Sequence, residues 1–127
     1  MPRDYKKYFR IPASPELVYA ALTTEATLRL WTGEEAEFTA EPNTKFSLWD
    51  GSIVGKNLEF EPGKTIVQQW YFGEREEESI VTLKVHPDKE FTSLEIRHTN
   101  IPDEDYEEMC DGWEDVFVAA LVDFYTE

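Results

Sequence analysis

Residues 46–70, from Phe46 to Trp70, read FSLWDGSIVGKNLEFEPGKTIVQQW, and the alternation within them decides the fold. Phe46 and Leu48 flank Ser47, and Asp50-Gly51 is a tight-turn signal. Val54, Leu58 and Phe60 share one parity, Pro62-Gly63 marks a second turn, and Ile66, Trp70 and Phe72 resume the alternation. A period of two residues sends successive side chains to opposite sides of a strand. The stretch therefore predicts three consecutive antiparallel strands in a curved sheet with one apolar face.

Working outward, residues 4–11 read as a first strand with Tyr5, Lys7, Phe9 and Ile11 on one face. Ser14-Pro15 supplies a helix cap followed by proline at the first helical position, and Leu17, Val18, Ala21 and Leu22 give that helix its apolar stripe. Thr24 is placed to cap a second short helix carrying Leu28 and Trp31 and ended by Gly33. Six further strands fit residues 36–40, 45–49, 53–61, 64–72, 79–86 and 91–100. After Pro102 the period switches to that of a helix: Tyr106, Met109, Cys110, Trp113, Val116, Phe117, Ala120, Leu121 and Phe124 fall on one side. Val118 and Val122 fall outside that stripe. The expected fold class is α+β: a seven-stranded antiparallel meander with two short helices and one long C-terminal helix across it. With no linker tract, repeat or shift in composition, residues 1–127 read as a single domain.

Composition narrows the function classes. The chain has 27 acidic and 12 basic residues, a net charge of -15, so nucleic acid and anionic membrane surfaces are disfavoured partners. The single cysteine, Cys110, forms no intramolecular disulfide and reads as a small core residue. No segment approaches the ~20 apolar residues of a membrane span, and the N-terminus has no signal-peptide pattern, so a cytoplasmic location is expected.

Catalytic signatures are absent: there is no G-x-S-x-G elbow, glycine-rich phosphate loop or H-E-x-x-H, and no cofactor is expected. If strands 79–86 and 91–100 pair through Pro87-Asp88-Lys89-Glu90, His86 opposes Phe91 and His98 opposes Ser79. That register puts the two histidines ~23 Å apart, too far to share a metal. The run Gly73–Glu78 reads as a solvated acidic loop rather than an acid–base cluster. Gln68, between Ile66 and Trp70, and His98, after Leu94 and Ile96, share parity with the apolar face, where an unpaired polar group is costly. They need either an internal hydrogen bond or buried water, or a ligand whose polar end they orient. Gly112 within the terminal helix costs ~1 kcal/mol relative to alanine and implies close packing or a bend.

Several segments in order carry a family resemblance: IPASPELVYAALT (residues 11–23), L-x-L-W-T-G (28–33), FSLWDG-x-I-x-G-x-NLE (46–59), IVQQW (66–70), SIVTL (79–83), HTNIP (98–102) and Gly112-Trp113. Together they resemble the activator of 90-kDa heat-shock-protein ATPase homologue, C-terminal-domain-like family, within the START-like (SRPBCC, helix-grip) superfamily. The resemblance implies the helix-grip fold and, across the superfamily, binding of apolar small molecules in a central cavity. It also implies a chaperone of the 90-kDa heat-shock type as a partner. The acidic run Gly73–Glu78 departs from the family, which often has a Trp-containing segment there, and the extra N-terminal chaperone-binding domain of the eukaryotic co-chaperone is not expected.

The first expectation for function is a noncatalytic module binding a small apolar or amphipathic ligand between sheet and terminal helix. Its candidate cavity residues are Trp31, Phe46, Leu48, Leu58, Phe60, Gln68, Trp70, Phe72, Leu94, Ile96, His98, Trp113 and Phe117. The alternatives are a co-chaperone-like accessory protein and a cyclase- or isomerase-like enzyme with His98 as its acid–base group.

Overall fold

The computed structural model describes residues 3–71 and 79–126. Among the described residues six strands form one antiparallel sheet: β1 Arg3–Ile11, β2 Thr44–Leu48, β3 Ile53–Glu61, β4 Thr65–Trp70, β5 Ser79–Asp88 and β6 Phe91–Ile101. Their spatial order is β1-β6-β5-β4-β3-β2, so the last five strands meander while β1 returns to lie beside β6. Between β1 and β2 come α1 Pro15–Thr23 and α2 Glu25–Thr32. Ser14 caps α1 by accepting from the Leu17 N–H, and Gly33 ends α2 at φ 74°. Thr24 stands at the start of α2 without a capping bond from its side chain.

Among the described residues the sheet has six strands where seven were expected. Residues 36–40 touch it only through a bridge between Glu37 and Ser47. The neighbouring backbone groups are taken by side chains: Phe38 N–H donates to Glu25, and the Thr39 carbonyl accepts from Asn57 and Thr44. A ladder cannot continue once its donors and acceptors are occupied. Ala36 and Phe38 are buried as part of the core instead.

β3 also departs from simple alternation. A bulge between Asn57 and Glu59 places Gly55, Asn57 and Phe60 opposite Trp70, Gln68 and Ile66. One extra residue reverses parity. Val54 therefore faces outward, Leu58 sits half-buried at the bulge, and Phe60 packs inward against Phe38. In the β5–β6 hairpin, Pro87 and Asp88 join the strand, so His86 opposes Ser93 and His98 opposes Val81, two positions from the expected register. A shift of two preserves the faces, and His98 still points inward while His86 points out.

The C-terminal helical stretch begins with a 3₁₀ turn at Asp103–Asp105, continues as α3 Tyr106–Asp111, widens into a π-helical segment Gly112–Val118 and closes as α4 Ala119–Phe124. Trp113, Phe117 and Leu121 recur every four residues, a spacing that drifts by about 40° per step around an α-helix. The wider π turns absorb the drift, and all three are buried. The same widening makes Val118 a core residue and leaves Val116 51% exposed, the reverse of the expected assignment. Tyr5 and Lys7 on β1 tie this stretch to the sheet through Glu114, at 3.1 Å each. Cys110 is half-buried against the core.

Candidate binding cleft

The space between sheet and helix is filled, and its polar groups satisfy one another. An indole N–H can only donate, so the bond from Trp70 Nε1 to Gln68 Oε1 at 2.9 Å fixes the orientation of that amide. Gln68 Nε2 must then donate to Asn57 Oδ1, at 3.0 Å, and Asn57 Nδ2 donates onward to the Thr39 carbonyl and Thr44 Oγ1. A second chain starts at Trp113, whose Nε1 donates to His98 Nδ1 at 3.1 Å. The imidazole proton therefore lies on Nε2, which faces Ser79 Oγ at 2.7 Å, and Ser79 donates to the Thr99 carbonyl. The two chains meet where Trp70 stacks on Trp113, centroids 4.8 Å apart. No buried side-chain polar atom among the described residues lacks a partner.

His98 is fully buried, and burial pushes its pKa from the ordinary value down to about 3. It is neutral at physiological pH with both ring nitrogens bonded, so it presents no acid–base group to a substrate. Gln68 is engaged at both ends of its amide. Of the two readings open for these residues, the internal hydrogen bond holds.

Open space lies at one end of the fold instead. A cleft of about 700 Å³ runs between the C-terminal helix and the β2–β3 loop. Its walls include Trp49, Ile53, Trp70, Trp113, Val116 and Phe117, and Asp105, Glu108, Asp111 and Asp115 stand along its helical side. The aromatics brace one another: Phe117 lies 4.7 Å from Trp113, 5.1 Å from Trp31 and 5.8 Å from Trp49. Trp31 is locked from behind by its own N–H to the Ala21 carbonyl. The β2–β3 loop aims Trp49 into the cleft through three successive left-handed residues, Trp49, Asp50 and Gly51, at φ 51°, 52° and 88°. Glycine adopts that region freely, whereas a bulky side chain there costs of order 1–3 kcal/mol.

Of the sequence candidates, the cleft gathers Trp70, Trp113 and Phe117, with Trp31 behind them. Phe46, Leu48, Gln68, Leu94, Ile96 and His98 belong to the closed core. Leu58 lies at the bulge, Phe60 packs with Phe38 at the far side, and Phe72 falls outside the described residues, as does the acidic run Gly73–Glu78. Sequence reading missed Trp49, Ile53 and Val116; the signals available were an indole directly before Asp50-Gly51 and a glycine inside a helix. Among the described residues no cluster of three metal-ligating side chains occurs, and no helix is long and apolar enough to cross a membrane.

A curved antiparallel sheet gripped by a long C-terminal helix, with a cleft at one end of the grip, defines a helix-grip domain of the START-like class. A family model described as Activator of Hsp90 ATPase homolog 1-like protein matches residues 12–125, and the chain belongs to that family. It is 37% identical over 103 residues to the Activator of 90 kDa heat shock protein ATPase homolog of Dictyostelium discoideum, covering 79% of this chain and 27% of that one. The chain spans about a fifth to a quarter of the length of the curated relatives it matches, 27% and 20%. Among solved structures, an HSP90 activator from Plasmodium falciparum superposes with a TM-score of 0.83 at 29% identity over 91% of both chains. The Aha1 dimer from Colwellia psychrerythraea shares the fold, with a TM-score of 0.81 at 22% identity over 95% of this chain and 94% of that one.

Proposed function

We propose that residues 1–127 form a single cytoplasmic, noncatalytic binding domain whose cleft takes a small amphipathic molecule. Its apolar body lies against Trp49, Trp70, Trp113 and Phe117, and its polar end faces the carboxylates. The observation that carries this reading is the cleft itself: about 700 Å³ walled by four aromatic side chains, within the usual range of small-molecule sites. The strained backbone that presents Trp49 supports it, since strain of this kind persists where the surroundings hold it and often accompanies function.

Val116 lines the cleft but is half-exposed, so Val116→Trp fills the opening while leaving the core untouched. Native mass spectrometry of protein isolated gently from its own cells is expected to find a small adduct on the wild type and none on the variant, with similar melting temperatures. A wild-type protein that carries no adduct, or an adduct that survives in the variant, overturns the assignment.

The family supports a second reading, an accessory protein for a chaperone of the 90-kDa heat-shock type, since relatives bear the names of activators of such a chaperone. Stimulation of the purified chaperone's ATPase at low salt, weakening as ionic strength rises, is the expected result. Failure to associate even at low salt removes this reading.

A further inference from the structure

The cleft between the C-terminal helix and the β2–β3 loop carries charge of one sign. Among the described residues, Asp105, Glu108, Asp111 and Asp115 are the only charged side chains that line it. Successive members of this row stand three or four residues apart, the spacing that brings helical side chains together, so each repels the next. None of the four makes an ion pair within 4 Å with a described residue. Glu114, next to Asp115 in sequence, is turned the other way, to β1, where Lys7 and Tyr5 engage it.

The described cations are placed elsewhere or already engaged. Lys6, Lys84 and Arg97 alternate with the buried residues of β1, β5 and β6, and Lys45 and Lys56 with those of β2 and β3, so all five stand on the outward side of the sheet. Lys64 and Lys89 belong to the β3–β4 and β5–β6 turns, at the opposite end of the meander from the β2–β3 loop. Arg10 pairs with Asp88, Arg29 with Glu25 and Glu35, and Arg3 lies over the Tyr106 ring at 3.8 Å. Nor do the four carboxylates converge. No three of them come close enough to hold one metal ion, so the positive charge they suit is a diffuse one. Beside them the cleft is apolar. Trp113 and Phe117 are almost fully buried in its floor, and the apolar side chains left open to an occupant are Trp49, Ile53, Met109 and Val116.

We propose that the occupant of the cleft is an amphipathic organic cation, its ammonium head among the carboxylates and its apolar body on Trp49, Ile53, Met109 and Val116. This rests on the reading of the cleft as a small-molecule site and names the class of molecule it takes. Charge complementarity selects the class. An anion meets four carboxylates that no described cation opposes, and a neutral molecule leaves their mutual repulsion in place. A cation relieves that repulsion, and the net charge of -15 draws it in from a distance. An organic cation also lies favourably on an indole face, which Trp49 offers.

The test is a titration of the isotopically labelled protein, followed by amide NMR shifts, with three probes that share one apolar body: 1-naphthylmethylammonium, 1-naphthylmethanol and 1-naphthoate. Methylammonium supplies the head without the body. The naphthyl cation is expected to shift the β2–β3 loop and residues 105–117, and to bind about tenfold tighter than the alcohol, with the anion weaker still. That margin should shrink between low salt and about 150 mM salt. Asp111→Asn/Asp115→Asn should bring the cation down to the affinity of the alcohol and leave the alcohol unchanged. Its melting temperature should hold or rise, because two neighbouring like charges are gone. Glu16→Gln/Asp123→Asn removes as much charge from exposed positions outside the cleft and should keep the preference. An alcohol that binds the cleft as tightly as the cation overturns this proposal and leaves the small-molecule reading standing. Absence of shifts at the cleft with every naphthyl probe overturns both. Methylammonium binding as tightly as the naphthyl cation, or equal losses in the two double variants, shows counter-ions gathering on an acidic surface and overturns the proposal as well.

Discussion

Truncation of Trp113 to alanine is expected to cost about 3–5 kcal/mol, a large share of the roughly 5–15 kcal/mol that holds a domain of this kind folded. Trp113 is fully buried, stacks on Trp70, and packs against Phe117 at 4.7 Å. The loss combines three effects. Apolar surface returns to water, a cavity opens that the sheet cannot collapse to fill, and His98 Nδ1 loses its donor. Urea denaturation gives the measurement. Trp113→Phe separates the effects, since it retains much of the ring volume but not the N–H, and should cost roughly 1–3 kcal/mol. Full stability in the alanine variant would mean that the two polar chains and the aromatic stack are not what joins helix to sheet.

The second large effect is a dependence on pH set by His98. The folded imidazole titrates at about 3, and in the unfolded chain it returns to about 6.5. Between those values the unfolded chain binds a proton that the folded chain refuses, so stability rises with pH across that window and is level above it. From about pH 6.5 downward, each unit is expected to remove about 1.4 kcal/mol through this group alone. Urea midpoints should rise with that slope from about pH 5 to about pH 6 and level off by about pH 7.5, whereas His98→Gln, lower in stability overall, should be nearly flat over the same range. Parallel slopes for the two proteins would show that the proton is taken up elsewhere.

Much of this architecture is legible in alternation alone. Ile66, Gln68 and Trp70 share the inward face as their spacing requires, and His98 points inward although the hairpin register differs by two. Even shifts keep faces, which is why the interior polar residues could be recognised without an accurate turn. What alternation cannot supply is an odd count. The bulge at Leu58 reverses the second half of β3, and the π turns exchange the roles of Val116 and Val118. Nor can a period reveal that Phe38 N–H goes to Glu25, thirteen residues away in sequence, so that an expected seventh strand reduces to one bridge. The cleft escaped for a related reason. It is built from residues at the ends of elements, where Trp49 adopts a left-handed backbone and periodicity has already stopped.

The π-helical segment Gly112–Val118 has a further meaning when the helix is read by length. A helix bonded from each residue to the fifth along accommodates one residue more per wide turn than an α-helix of the same span. Counting therefore matters as much as chemistry. Removing a single residue there would let the segment tighten to α geometry while everything after it keeps its place on the sheet. Leu121 would stay buried, but inside the segment the directions of Val116 and Val118 would be reset, and the cleft wall at Val116 would change with them. A length change of one, invisible to any measure of side-chain similarity, is the smallest edit that could separate a relative with this fold from one that also has this opening.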